Sequence, residues 1–99
     1  MATLIVKDAE QTYVVDLVHG EALVVGRGAD CDLPVSGDRA SRRHAEVRSE
    51  GQGHAVTDLG STNGTLVNGA PIAGMRLLAD GDVVDVGGST LLYRVHPPA

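Results

Sequence analysis

Short apolar segments with a side-chain period of two are the feature that most restricts the fold of this chain. They share β-branched and aliphatic residues and cover positions 3–7, 12–18, 21–26, 44–50, 54–59, 65–69, 82–87 and 89–95. Turn signals separate several of them, namely Gly-Gln-Gly at 51–53, Asn-Gly at 68–69 and Gly-Gly at 87–88. A period of two is typical of β-strands, and no segment combines the helical period of 3.6 with capping residues. The pattern predicts an all-β chain, a β-sandwich of nine to eleven short strands.

The predicted sandwich has an aliphatic core, because the chain contains two Tyr and no Phe or Trp. The candidate core residues are Leu4, Val6, Val15, Leu17, Val24, Val47, Val56, Leu66, Val84, Val86 and Leu92. In strands that are apolar throughout, the sequence leaves open which alternate set faces inward. A length of 99 residues fits one domain. We expect that domain to cover 1–96, and the Pro-Pro-Ala end at 97–99 to be a tail or the start of a linker.

Composition excludes several classes of function. The net charge of −5 argues against nucleic-acid binding, and the scarcity of aromatic residues argues against base stacking. No apolar run approaches a membrane span, and the N-terminal residues do not have the shape of a signal peptide. A single cysteine, Cys31, cannot form an internal disulfide and has no histidine partner nearby in sequence for zinc. These features predict a cytoplasmic protein without a metal or cofactor, and the low Lys with abundant Ala, Gly, Val and Arg favours a bacterial source.

A local excess of arginine interrupts the acidic average. Five of the eight Lys and Arg residues fall in one stretch, and all five are arginine: Arg27, Arg39, Arg42, Arg43 and Arg48. Much of that stretch, 28–42, carries few strand signals and predicts a long loop, a feature that is often functional in a compact domain. Arginine presents a planar fork of donors that suits carboxylate or phosphate. The alternative is a scatter of solvated arginines, or an ion pair of Arg27 with Asp30 or Asp32.

A second polar loop lies within 57–70, which carries three Gly, two Asn and several hydroxyl residues. These groups exceed what a turn requires. Hairpin connections place their loops at the two ends of a sandwich, so this loop and the arginine-rich one can meet at one end. Guanidinium, hydroxyl and amide groups without acid–base machinery are suited to binding a phosphate without reacting with it.

Four motifs in order resemble the forkhead-associated (FHA) domain family: Gly-Arg at 26–27, Ser-Arg-Arg-His at 41–44, Gly-Ser-Thr-Asn-Gly-Thr at 60–65 and Val-Asn-Gly at 67–69. The resemblance implies a sandwich of about eleven mostly antiparallel strands that binds phosphothreonine peptides at one end. It further implies a signalling module that is not an enzyme and is a monomer. Its partner would be a phosphothreonine-containing protein, such as a Ser/Thr protein kinase or a kinase substrate.

The resemblance assigns phosphate contacts to four residues: Arg27, Ser41, Arg42 and Thr62. Arg27 is expected to give charge-assisted bonds, while Ser41 supplies a hydroxyl, and Thr62 a hydroxyl and a backbone N–H. For Ser41 the alternative is a turn or capping role. The Arg42 side chain could instead point to solvent.

The remaining motif positions are expected to hold the ligand backbone or the loops. Asn63 suits the peptide main chain, because an amide both donates and accepts. Gly26 is expected to permit a sharp turn beneath Arg27, and Gly64 a positive φ. The resemblance implies that His44 joins the two loops and that Asn68 fixes a neighbouring turn.

Three rival interpretations remain at this stage. One is a module of the same fold that binds a partner or itself through a sheet face, independently of phosphate. Another is an esterase or phosphatase that uses Ser41 with His44, although no strand–turn–helix motif supports it. The aspartates at 58, 80, 82 and 85 suggest a calcium loop, but they lack the EF-hand pattern, and turn chemistry explains them better. The other histidines, His19, His54 and His96, are expected to be exposed.

Overall fold

The computed structural model describes residues 2–96 and contains eleven β-strands and no helix within that range. The strands are β1 (Ala2–Lys7), β2 (Thr12–Leu17), β3 (Ala22–Gly26), β4 (Leu33–Pro34), β5 (Ala45–Glu50), β6 (Gly53–Asp58), β7 (Thr65–Val67), β8 (Ala70–Pro71), β9 (Met75–Leu77), β10 (Val83–Val86) and β11 (Ser89–Val95). The predicted all-β class and strand number are confirmed. The predicted tail at 97–99 lies outside the described residues. Within 2–96 no helix is long and apolar enough to cross a membrane.

The strands form two sheets that enclose one core. Six strands pair in the order β2-β1-β11-β10-β7-β8, and five pair in the order β4-β3-β5-β6-β9. Every pairing is antiparallel except the short parallel contact between β3 and β4. The arginine-rich segment therefore leaves the sheet after β3, returns briefly as β4 and then enters β5.

The core is aliphatic, as predicted, apart from the buried ring of Tyr93, but three strands bury the other alternate set of side chains. Predicted core residues Leu4, Val6, Leu17, Val47, Val56, Val84 and Val86 are buried, and Val15 packs against them. Val24, Leu66 and Leu92 are only half-buried, whereas their sequence neighbours Val25, Val67 and Leu91 are buried. The prediction was wrong for these three residues because either alternate set of side chains in an apolar strand can face the core. Packing between the two sheets determines which set does so.

Two predicted turns have the backbone that their residues favour. Asn68 and Gly69 both have positive φ, 52° and 84°, as a two-residue turn of type I′ requires. Gly87 and Gly88 have φ of 60° and 99° between β10 and β11. The prediction of an exposed His54 was wrong. Its ring is buried, and its Nδ1 lies 2.9 Å from the Tyr93 hydroxyl.

The long segment between β4 and β5 is held against the six-stranded sheet. The Ser36 N–H donates to Asp8 at 3.1 Å, and the Gly37 N–H donates to the Ser89 hydroxyl at 3.2 Å. There is no room for a side chain where the segment meets the β10–β11 hairpin, since a Cβ on Gly87 would lie 2.2 Å from the Ala40 nitrogen. The segment consequently reaches the end of the sandwich where β6 also ends and β7 begins.

Candidate functional site

One open depression brings the predicted phosphate ligands together. It has a volume of about 410 Å³ and is lined by Arg27, Asp38, Arg39, Ala40, Ser41, Arg42, Thr62 and Asn63. All four residues that the sequence assigned to phosphate, and the amide assigned to the peptide main chain, are therefore on its wall. Asp38 and Ala40 also line the depression, and no sequence signal points to them because neither belongs to a motif.

The arginine wall is built on close backbone pairing. The Arg27 N–H donates to the Ser41 carbonyl and the Gly28 N–H to the Arg42 carbonyl, both at 3.0 Å. Gly26 is required for this approach, because a Cβ there would lie 2.1 Å from the Arg42 carbonyl oxygen. Gly26 was expected to permit a sharp turn, but its φ is not positive. The reason for glycine at this position is instead the close approach of the Arg42 carbonyl. The Arg27 side chain is anchored through Nε, which donates to the Ala40 carbonyl.

His44 joins the two loops from beneath. Its side chain is fully buried. Its Nδ1 accepts from the Ser41 N–H at 3.0 Å, and its Nε2 lies 2.8 Å from the Gly64 carbonyl. Because the N–H can only donate and the carbonyl can only accept, the ring proton is on Nε2. Both ring nitrogens are thus committed to the backbone, and neither can act as a base toward the Ser41 hydroxyl. The geometry does not support the esterase alternative.

Ser41 and Thr62 are linked across the depression. The Thr62 N–H donates to Ser41 Oγ at 3.2 Å. The Ser41 hydroxyl therefore serves as an acceptor inside the protein, and its own proton is left to donate into the depression. The Thr62 N–H, expected to face the ligand, bonds to Ser41 instead, so Thr62 has its hydroxyl to offer.

Asn63 connects the second loop to the arginine-rich segment. Its side-chain N–H donates to the Arg39 carbonyl at 2.9 Å, and the residue is otherwise exposed. The amide oxygen and the second N–H have no partner among the described residues. Asn63 is therefore held in place on one side and can still both donate to and accept from a peptide main chain.

Asp58 organises the loop that carries Thr62 and Asn63. Its carboxylate accepts from the N–H groups of Gly60 and Ser61, both at 3.0 Å, and from the hydroxyls of Ser61 and Thr65. Burial acts to raise the pKa of Asp58, but these hydrogen bonds outweigh it and hold the pKa below its usual value. The sequence signal is an aspartate at the start of a Gly-Ser turn, and these bonds agree with the prediction that turn chemistry explains Asp58 better than a calcium site does.

Gly64 and Asn68 serve the loop and a neighbouring turn. Gly64 has a φ of 80°, which a side chain would strain, and its N–H donates to Ser61 Oγ at 2.9 Å. Asn68 lies outside the depression, and its side chain bonds to Asp82 and to the Val83 N–H, both at 2.9 Å. Asn68 therefore binds the β7–β8 turn to the start of β10.

Positive charge in the depression is not neutralised by the protein. Three arginines, Arg27, Arg39 and Arg42, line the depression together with one acidic residue, Asp38. Among the described residues there are two ion pairs, Arg48–Glu50 and Arg94–Asp80, and neither is at this end. Arginines without an ion-pair partner among the described residues are suited to binding an anion, although the chain as a whole has a net charge of −5. Across 2–96, no three His, Cys, Asp or Glu side chains cluster as metal ligands would.

A second, smaller depression adjoins the first and shares Arg39 and Asn63 with it. Its other lining residues are Gly64, Leu66, Asp85, Gly87 and Gly88. Gly88 leaves space on this side, where only the Arg39 guanidinium comes within 4.0 Å of a Cβ position, whereas Gly87 is packed against the Ala40 backbone. A ligand chain that leaves the arginine depression past Asn63 enters this second space.

Comparisons with known proteins agree with this geometry. The sequence model of the FHA domain matches residues 23–87. FhaA, an FHA domain-containing protein of Mycobacterium tuberculosis, is 45% identical over 73 residues, which are 74% of this chain and 14% of FhaA. GarA, the glycogen accumulation regulator of Mycolicibacterium smegmatis, is 38% identical over 96 residues, 97% of this chain and 60% of GarA.

Solved structures show the same fold. A structure from a study of phosphothreonine-dependent FHA domain interactions superposes with a TM-score of 0.83 at 42% identity, covering 98% of both chains. The chain spans 60% of the length of GarA and 14% of that of FhaA. From the match at 23–87 and these relatives, the chain belongs to the FHA domain family.

Proposed function

We propose that this domain binds phosphothreonine in a segment of a partner protein and is a binding module in Ser/Thr kinase signalling, not an enzyme. Arg27, Ser41, Arg42 and Thr62 hold the phosphate, and Asn63 holds the peptide main chain. The observation that carries the proposal is a depression lined by three arginines without ion-pair partners among the described residues and by Ser41, Thr62 and Asn63.

Three arginines and one aspartate line the depression, so its net positive charge favours an anionic ligand. A phosphate dianion with oxygens in several directions is satisfied by Arg27 and Arg42, with hydroxyl donation from Ser41. An unphosphorylated threonine leaves those donors without an acceptor and adds no attraction. Binding without chemistry is supported by His44, whose two ring nitrogens are committed to the backbone and leave Ser41 without a histidine base.

The relatives support the same partner class. The structure at 42% identity comes from work on phosphothreonine-dependent interactions, and GarA is a regulator. For this chain we propose a phosphorylated Ser/Thr protein kinase or a kinase substrate as the partner, and a cytoplasmic monomer as the bound form. Preference for phosphothreonine over phosphoserine rests on one methyl group, which contributes about 0.8 kcal/mol, or roughly fourfold, when it is buried.

A peptide array probed with the domain, each peptide with threonine phosphorylated and unphosphorylated, tests the proposal. We expect retention of phosphothreonine peptides alone. Loss of one charge-assisted contact costs about 1.5–3 kcal/mol, so Arg27→Ala should weaken binding about tenfold to 150-fold. Arg27→Lys should also weaken it, because the planar fork is lost.

Arg76→Ala is the matched control, since Arg76 is exposed on β9 and distant from the depression. Circular dichroism of each variant verifies folding. Equal binding of phosphorylated and unphosphorylated peptides would contradict the proposal and favour a phosphate-independent module. Unchanged affinity in a folded Arg27→Ala variant would show that the phosphate is bound elsewhere.

A further inference from the structure

The outer face of the six-stranded sheet carries an apolar row where alternation calls for polar residues. Cross-strand pairing aligns Val14 with Ile5, Ile5 with Leu92, and Leu92 with Val83. Val14 is 62% exposed and Val83 37%, while Ile5 and Leu92 are half-buried. With strands spaced about 4.8 Å apart, the row extends about 14 Å across β2, β1, β11 and β10.

The outer face of the other sheet is different. At its centre, β5 points Glu46 and Arg48 outward, opposite Thr57 and Ala55 of β6. A sheet face that meets only water usually carries such polar and charged residues. Apolar side chains are also exposed on this second face, but on its edge strand β9, where Met75 is 45% and Leu77 59% exposed. The apolar row differs because it crosses the central strands β1 and β11 of its sheet, and a contiguous exposed apolar patch is a feature of contact surfaces.

The row is continuous with the proposed site. Leu66 and Asp85 line the second depression, which shares Arg39 and Asn63 with the arginine depression. Leu66 lies directly opposite Asp85, and Val83 is two residues further along β10 on the same outer face. Two strand residues span about 7 Å, so the row begins immediately beyond the second depression.

We propose that the apolar row is a second contact surface for the phosphorylated partner, occupied by apolar side chains of the segment that flanks its phosphothreonine. This inference rests on the proposed function and extends it. An extended chain advances about 3.4 Å per residue. The path along the protein surface from Asn63 past Leu66 to Val83 is about 17 Å long. Apolar residues of the partner are therefore expected roughly five to ten residues from the phosphothreonine, on one side.

A second copy of this chain is a less suitable occupant. A stable dimer buries about 800 Å² on each partner, and four aliphatic side chains, two of them half-buried, provide much less. A flanking segment needs less area, because the phosphate contact has already met most of the entropic cost of association.

The test uses a phosphothreonine peptide library with about a dozen randomised positions on each side. We expect enrichment of Val, Ile, Leu or Met within the five-to-ten window on one side. Truncation of that side to about three residues should weaken binding about fourfold or more, the effect of burying one methylene-sized group or larger. The double variant Val14→Thr/Val83→Thr should bind long phosphopeptides more weakly by the same factor, and its affinity for truncated phosphopeptides should be unchanged.

Threonine keeps the β-branched shape of valine, so the variants should remain folded. Leu77→Thr is the matched control, because Leu77 is 59% exposed on the edge strand β9 as Val14 is on the edge strand β2. Equal affinity of long and truncated phosphopeptides, or equal losses in the Leu77 control, would overturn the inference while leaving the proposed function intact. Failure to retain any phosphopeptide would instead overturn the proposed function, and this inference with it.

Discussion

Replacing His44 by alanine should destabilise the whole domain as well as the site. The fully buried imidazole accepts from the Ser41 N–H and bonds to the Gly64 carbonyl. Alanine leaves both backbone groups without partners, and each buried unsatisfied group costs about 1–3 kcal/mol. The expected loss is about 2–6 kcal/mol, a large fraction of the 5–15 kcal/mol that is typical of a domain.

The loss should extend to ligand binding, since His44 sets the distance between the loops that carry Ser41 and Thr62. When one of these residues is no longer held, ordering it on binding costs about 1–2 kcal/mol, which corresponds to about fivefold to thirtyfold in affinity. Urea unfolding followed by circular dichroism measures the first effect. Titration of a phosphothreonine peptide, at a temperature where the variant is folded, measures the second.

Two variants serve as comparisons. His44→Gln offers one donor and one acceptor on its amide and should recover part of both losses. His19→Ala removes an exposed histidine and should change neither. A free energy of unfolding lowered by less than about 1 kcal/mol in His44→Ala would refute the reasoning, because the backbone of the two loops would then be held by other contacts.

Two further predictions concern carboxylates that hold loops. Asp58→Asn keeps one acceptor oxygen and Asp58→Ala keeps none, so phosphopeptide affinity should fall in that order, although Asp58 does not line the depression; equal affinities in a calorimetric titration would contradict this. For Asp8, burial acts to raise the pKa, but hydrogen bonds from Glu10, Ser36 and Gln11 lower it from 3.8 to about 2. The stabilisation of the fold by ionised Asp8 is therefore present above pH 4 and is lost as the pH falls toward 2. The urea midpoint of the wild type should accordingly decrease more between these two pH values than the urea midpoint of Asp8→Asn. Parallel plots of urea midpoint against pH for the two proteins would show that the Asp8 hydrogen bonds do not stabilise the fold.

Much of the fold could be predicted from local patterns. The segments at 12–18 and 89–95 became β2 and β11, and the Asn68-Gly69 and Gly87-Gly88 pairs became turns. These predictions succeed because a period of two and residues that tolerate positive φ act within a few residues of one another. The motif residues around Arg27, Ser41 and Asn63 could be identified in the same way, since each motif is contiguous.

Other features depended on contacts between distant segments. The burial of Leu91 instead of Leu92 follows from packing of the two sheets, which no property of the β11 sequence specifies. The short strand β9 is recognisable only through its pairing with β6. His54 was predicted to be exposed, but Tyr93, which is 39 positions away, provides its partner.

The sequence by itself determined the all-β class of this chain and the presence of two polar loops rich in arginine, hydroxyl and amide groups. Only the tertiary structure decided that Gly26 must lack a side chain for the Arg42 carbonyl to approach, that Asn63 is anchored on Arg39, and that an apolar row continues from the site. The physical reason is the range of the interactions along the chain. Strand and turn preferences act between neighbouring residues, whereas the distance between two loops is set by the sheets that carry them.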